Sequence, residues 1–278
     1  MQEQTFSFDD RLSLLAGARW AEFSNLTNNY RTGASNRAGG DAPNSRFGAV
    51  WLPRDGVSVY VVNSEIQVAS TVADLDGTTF DPVTSELVEA GVRFELADKR
   101  VTLTLSYFDL VQNNVLQSDP ARLGCRIQTG ESSSNGVELD LTASPLVGWQ
   151  ILGSASLLKA EVSGDVNPAR IGLRVPNTPD QTFSVWNKYM WQSDPLDGFG
   201  VGCGIIHVSD RVGDANNSFL VPSYTRLDLS VSYVRERWAV DVNLRNALDE
   251  DYIESVSSRT AVRPGTPTNF LARLRYRF

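Results

Sequence analysis

The segment Phe270-Leu271-Ala272-Arg273-Leu274-Arg275-Tyr276-Arg277-Phe278 alternates strictly between two kinds of residue. In an extended strand successive side chains point to opposite faces. Phe270, Ala272, Leu274, Tyr276 and Phe278 therefore share one face, and Leu271, Arg273, Arg275 and Arg277 share the other. One face is apolar and the other mostly charged. The same division recurs upstream. Trp238, Val240, Val242 and Leu244 oppose Asp241, Asn243 and Arg245, and Leu227, Leu229, Val231 and Tyr233 oppose Arg226, Asp228, Ser230 and Ser232. Val137, Leu139 and Leu141 stand against Glu138, Asp140 and Thr142, and Val101, Leu103, Leu105 and Tyr107 against Thr102, Thr104 and Ser106.

Alternation alone does not separate a membrane sheet from one half of a soluble sandwich. Connection lengths do. The pattern predicts about thirteen strands of lengths suited to tilted membrane strands, near 1–8, 12–24, 45–52, 57–66, 86–97, 100–112, 135–143, 149–161, 181–192, 198–210, 223–234, 237–247 and 267–278. Tight turns are expected at Asp9–Arg11, Pro53–Gly56, Asp98–Lys99, Ser144–Gly148, Ser193–Asp197 and Arg235–Arg237. Long polar loops alternate with them, at 25–44, 67–85, 113–134, 162–180, 211–222 and 248–266. Short turns on one side and long loops on the other define an antiparallel transmembrane β-barrel of the outer-membrane kind, an all-β fold. Trp51, Trp149, Trp191 and Trp238 each lie near a tight turn with the parity of the apolar face, as do Tyr233 and Phe278. That is an aromatic girdle at one membrane interface. Trp20 and Trp186 lie outside it, and Asn187 shares the apolar parity of Phe183, Val185 and Tyr189.

Composition narrows the function. With 25 basic against 33 acidic residues and a formal charge of -8, the chain lacks the basic surface that nucleic acid demands. The opening Met1-Gln2-Glu3-Gln4 has neither a basic start nor an apolar run, so it does not read as an export signal. Two cysteines are too few for a disulfide framework. Cys125 falls in a long loop and Cys203 in mid-strand on the apolar face, so both are expected to be free thiols. A single histidine, His207, cannot head a metal cluster, and Ser209 and Asp210 fall on opposite faces beside it, which argues against a triad. No enzyme activity, metal or cofactor is expected.

Several local sequences then resemble the C-terminal half of TonB-dependent siderophore receptors. They are Glu89-Ala90-Gly91-Val92, Tyr107-Phe108-Asp109 followed by Asn114-Val115, and Asn135-Gly136-Val137-Glu138-Leu139. Val175-Pro176-Asn177-Thr178-Pro179, Pro222-Ser223-Tyr224-Thr225-Arg226-Leu227-Asp228 and Asn243-Leu244-Arg245-Asn246-Ala247-Leu248-Asp249 through Tyr252 follow in order, then Pro264-Gly265-Thr266-Pro267 and Arg275-Tyr276-Arg277-Phe278. Thr268 departs from the family pattern, which often has arginine after that last turn.

The resemblance implies a barrel of roughly 22 strands with an N-terminal plug in its lumen. Residues 1–278 read as the C-terminal portion of that barrel, without plug, TonB-coupling segment or export signal. The implied localisation is the outer membrane of a Gram-negative bacterium. The implied partners are a ferric siderophore, TonB acting through the plug, outer-membrane lipid, and the barrel-assembly machinery reading Leu274, Tyr276 and Phe278. Arg226, Arg245, Arg273, Arg275 and Arg277 are candidates to line the lumen, and loops 67–85, 113–134 and 162–180 to contribute ligand contacts. A passive porin or structural outer-membrane barrel is the competing expectation, distinguished by the lack of a plug and coupling box upstream.

Overall fold

The computed structural model describes residues 2–7, 11–30, 33–68, 70, 80–118 and 126–278. Thirteen strands form one continuous sheet in which every neighbour in sequence order is a neighbour in space. They are β1 (Gln2–Ser7), β2 (Leu12–Arg19), β3 (Asn44–Arg54), β4 (Val57–Val68), β5 (Val83–Leu96), β6 (Val101–Ser118) and β7 (Arg126–Ala143). The order continues with β8 (Trp149–Gly164), β9 (Gln181–Met190), β10 (Phe199–Val208), β11 (Tyr224–Val234), β12 (Trp238–Arg245) and β13 (Asn269–Tyr276). All pairings are antiparallel. β1 and β13 each have a single neighbour, so the sheet is an open barrel wall.

The register carries the two faces across the whole wall. Trp238 pairs with Tyr276 and Val242 with Ala272, while on the other face Asp241 pairs with Arg273. Over most of the wall apolar residues meet apolar residues on the strands beside them, which keeps the register from slipping by one, with Asn63 opposite Phe47 and Asn187 opposite Ile151 as exceptions. The apolar face is not covered by a second sheet. Phe47 is 55% exposed, Tyr107 51% and Leu157 59%. A water-soluble sheet does not leave such a continuous apolar surface uncovered, and a lipid-facing one must. From Trp149 to Leu157 the apolar run of β8 is roughly 26 Å along the strand. Tilted by about 40°, that run spans roughly 20 Å along the bilayer normal, most of the ~25 Å apolar band of an outer-membrane barrel.

The thirteen expected strands are all present, and the differences lie at the ends opposite the tight turns. The loop expected at 25–44 is mostly a hairpin, Glu22–Asn29 paired with Ala34–Asp41, and β2 ends at Arg19 instead of running to 24. The loop expected at 113–134 is largely strand, because β6 continues to Ser118 and β7 begins at Arg126. Polar sequence misled there: a strand that has left the bilayer no longer needs an apolar side. Short hairpins also form inside 211–222, from Arg211–Val212 and Leu220–Val221, and inside 248–266, from Ile253–Ser258 and Ala261–Pro264. The turn at Asp9 and the loop residue Cys125 fall outside the described residues.

Candidate functional site

On the charged face, β11, β12 and β13 bring Asp228, Asp241, Asn243, Arg245, Arg273 and Arg275 together around a recess of about 470 Å³. Trp186 of β9 forms part of its wall. The indole lies over the glycines of β10, and a Cβ at Gly202 or Gly204 would run into its ring. Trp186 is thus placed on the charged face, which explains why it is not part of the girdle. The five arginines proposed for this face do not behave alike. Arg226 makes a two-pronged bond to Asp228, with Nε 3.0 Å from Oδ1 and Nη2 2.9 Å from Oδ2, and its Nη1 donates to the Tyr252 hydroxyl at 3.2 Å. Its guanidinium is therefore occupied. Arg275 donates to Asp241 at 3.2 Å, and Arg277 lies beyond the end of β13, tied by its backbone N–H to Arg237 O. Arg245 and Arg273 have no ion-pair partner among the described residues, so they are the cations with donors to offer.

Beside the recess sits a polar network that ties β11, β12 and the 248–266 connection together. Asn246 is 1% exposed and adopts a left-handed backbone, φ 53°. Its Nδ2 donates to Glu250 O at 2.9 Å and Thr266 O at 3.2 Å, and its Oδ1 accepts the Glu250 N–H at 2.9 Å. Its own N–H donates to Asp228 Oδ1 at 2.9 Å, which links it to the Arg226 fork. Asparagine suits the position because it tolerates left-handed φ and carries both donor and acceptor. Thr268 completes the closure. Its Oγ1 lies 2.6 Å from Asn246 O and 2.9 Å from Asp249 Oδ1, and its N–H donates to the same carboxylate at 2.9 Å. These bonds hold the Asp249 carboxyl below its ordinary value of 3.8. A depressed acid contributes stability above the unfolded value, and that contribution is lost as pH falls through the lowered one.

The tight-turn end carries the girdle. Tyr189, Trp191 and Phe199 pack in sequence, with ring centroids 5.1 and 5.7 Å apart, and Tyr233 meets Trp238 edge-on at 5.2 Å. Arg235 caps this end, its Nε donating to the Tyr233 hydroxyl at 2.7 Å and its Nη1 to Asp197 at 3.1 Å. Asn187 is not a stray amide. It pairs with Ile151, two residues along the register from the Trp149–Tyr189 pair and on the same face, and its Oδ1 accepts the Trp149 indole N–H at 2.6 Å. Asn187→Leu should lower unfolding stability by about 1 kcal/mol, the usual net worth of one such bond, with no change in fold. A thermal unfolding midpoint unchanged from wild type would show that the bond contributes nothing.

Leu274 and Tyr276 stand on β13, at the open edge of the sheet, and Phe278 lies just beyond its end; they are 72%, 55% and 110% exposed, with Tyr276 and Phe278 edge-to-face at 5.1 Å. His207 is an ordinary strand residue whose Nδ1 lies 2.8 Å from Thr225 Oγ1. Cys203 is a free, exposed thiol on the apolar face of β10. Trp20 follows directly on the far end of β2 and is 70% exposed, at the level opposite the tight-turn girdle.

An antiparallel wall with one lipid-facing side, one charged side, an aromatic girdle at its short-turn end and elaborated connections at the other is the architecture of a large transmembrane β-barrel. The chain belongs to the family described as TonB dependent receptor-like, beta-barrel, whose model matches residues 3–247. It is 29% identical over 282 aligned residues to the metal-pseudopaline receptor CntO of Pseudomonas aeruginosa, covering 99% of this chain and 40% of the relative. It is 27% identical to the ferrichrome outer membrane transporter/phage receptor of Escherichia coli K12, covering 97% and 36%. In structure it is similar to the siderophore receptor PiuA of Acinetobacter baumannii, with a TM-score of 0.81 at 22% identity, covering 96% of this chain and 41% of that one. The chain thus spans about 40% of the length of curated relatives such as CntO.

Proposed function

We propose that this chain is the C-terminal portion of the barrel wall of a longer receptor in the outer membrane of a Gram-negative bacterium. That receptor imports ferric siderophores, or a similar metal chelate, with energy delivered by TonB through a plug inside the barrel. The observation that carries the reading is the wall itself. A thirteen-stranded arc has its charged side lined by Arg245, Arg273 and Arg275 and its lipid side uncovered, as a wide, solvated lumen requires. Membership of the TonB-dependent receptor family supports import over passive diffusion, and transport over catalysis. On this reading the short turns face the periplasm and the long connections face outward, where the ligand arrives.

The test is uptake of radiolabelled iron by iron-starved cells, with the gene present or deleted and TonB functional or not. Iron is supplied in turn on hydroxamate, catecholate and citrate-like carriers. Loss of one carrier's uptake on gene deletion, and equally on loss of TonB, is the expected result. Undiminished uptake of every carrier, with TonB-independent passage of small solutes, selects a porin instead.

The open, alternating last strand also fits recognition by the barrel-assembly machinery. Deleting Phe278 from the longer receptor should remove most of the heat-modifiable product from the outer membrane. Unchanged assembly would leave Phe278 as girdle packing alone.

A further inference from the structure

The connections 162–180, 211–222 and 248–266 are far apart in sequence, yet each is bonded to both of the others. Arg170 Nε donates to Asn216 Oδ1 at 3.0 Å. Asn217 exchanges two bonds with the Arg174 backbone, its Oδ1 accepting the N–H and its Nδ2 donating to the carbonyl, both at 3.0 Å. Arg211 Nη2 reaches Ile253 O and Glu254 O at 2.8 and 2.9 Å, and Arg259 donates to Ser218 O while stacking over Phe219 at 5.1 Å.

These connections also have a core. Among the described residues the buried apolar side chains larger than alanine are Val212, Val221 and Val256, and all three belong to these two hairpins. Arg211 is buried with them at 3% exposure. A polar surface loop has no need of a shared apolar core, whereas a small folded body does.

Asn177 joins the three. Its N–H donates to Val212 O at 2.9 Å, its Nδ2 donates to Val256 O at 2.6 Å, and its Oδ1 accepts the Val256 N–H at 3.1 Å. One side chain thereby satisfies both backbone groups of a buried residue 79 positions away. The backbone is prepared for this: Asn177 sits at φ 59°, between Pro176 and Pro179, whose rings restrict the chain on either side.

We propose that Asn177 is a clasp that locks these three connections into one preassembled body at the long-connection end of the wall. Its backbone amides become open to exchange in one cooperative event. Resting on the proposed import function, it is the fixed part of the outer vestibule, against which an arriving chelate docks without first having to order these loops.

The test is hydrogen exchange on the longer receptor assembled in outer membranes, comparing wild type, Asn177→Gly and Asn177→Ala. Glycine keeps the left-handed backbone and the N–H bond to Val212 and removes only the side-chain bridge. Alanine adds backbone strain. Asn177→Gly should speed exchange in both 211–222 and 253–264 on the order of tenfold, the amount that one or two lost buried hydrogen bonds permit. Exchange in β8–β12 should stay as in wild type, which also shows that the variant has folded. Acceleration confined to residues near 177, or absent altogether, overturns the proposal. The readout needs no ligand, so failure of the clasp and failure of the import reading are separable.

Discussion

Refolded alone into lipid or detergent, the 278-residue chain should give no heat-modifiable, protease-resistant barrel. The thirteen strands alternate in direction, so β1 and β13 run the same way and cannot close on one another as antiparallel neighbours. Each edge leaves about half of its backbone groups pointing outward, because alternate residues of a strand bond to opposite neighbours. In hydrocarbon an unsatisfied N–H or C=O costs several kcal/mol, so the two edges together cost tens. No arrangement of side chains in this wall offsets that. Closure requires an odd number of further strands, and co-refolding with a polypeptide that supplies them should restore the fast-migrating, trypsin-resistant form. The measurement is electrophoretic mobility with and without boiling, followed by limited proteolysis. A compact resistant band from the 278-residue chain by itself would mean that the edges are satisfied in some other way.

The sheet was legible because one physical rule governs it: a strand between lipid and water must alternate, and a slip of one residue inverts every side chain. Val101 to Tyr107 and Phe270 to Phe278 state that rule plainly, and the tryptophans beside tight turns mark the interface. Above the bilayer the rule lapses. Residues 113–118 and 126–134 are mostly polar and keep no apolar side, Val115 and Leu116 falling on opposite faces, and they read as loop, although β6 and β7 continue through them. The candidate site was legible only in part. Parity places Arg226, Arg245, Arg273 and Arg275 on one face, but it does not reveal that Asp228 and Tyr252 already occupy Arg226. Asn187 read as a misfit because its partner, Trp149, is on another strand. Asn177 and Asn246 both lay within the motifs that suggested the family, yet their bonds reach Val256 and Thr266, which no local pattern indicates. A signal existed in each case: an asparagine where the chain leaves its strand pattern, flanked by prolines in one and followed by Asp-Glu-Asp in the other.

Asn246→Gly should be the most damaging single substitution in the β11–β13 region, lowering stability on the order of 3–5 kcal/mol. Glycine accepts φ 53° without strain, so the loss isolates the side chain. Three bonds go with it, to Glu250 O, Thr266 O and the Glu250 N–H, in a position that is 1% exposed. Each bond is worth about 1 kcal/mol net, so the three together come to about 3 kcal/mol. The added chain freedom of glycine in the unfolded state contributes in the same direction. Arg245→Gln is the matched control, one residue away on β12, exposed and without an ion-pair partner, and should fall within about 0.5 kcal/mol of wild type. The comparison is made on the longer receptor in detergent, as the urea midpoint of tryptophan fluorescence. Should Asn246→Gly unfold within 1 kcal/mol of the control, the buried network is not what joins the last strands to the connection between them.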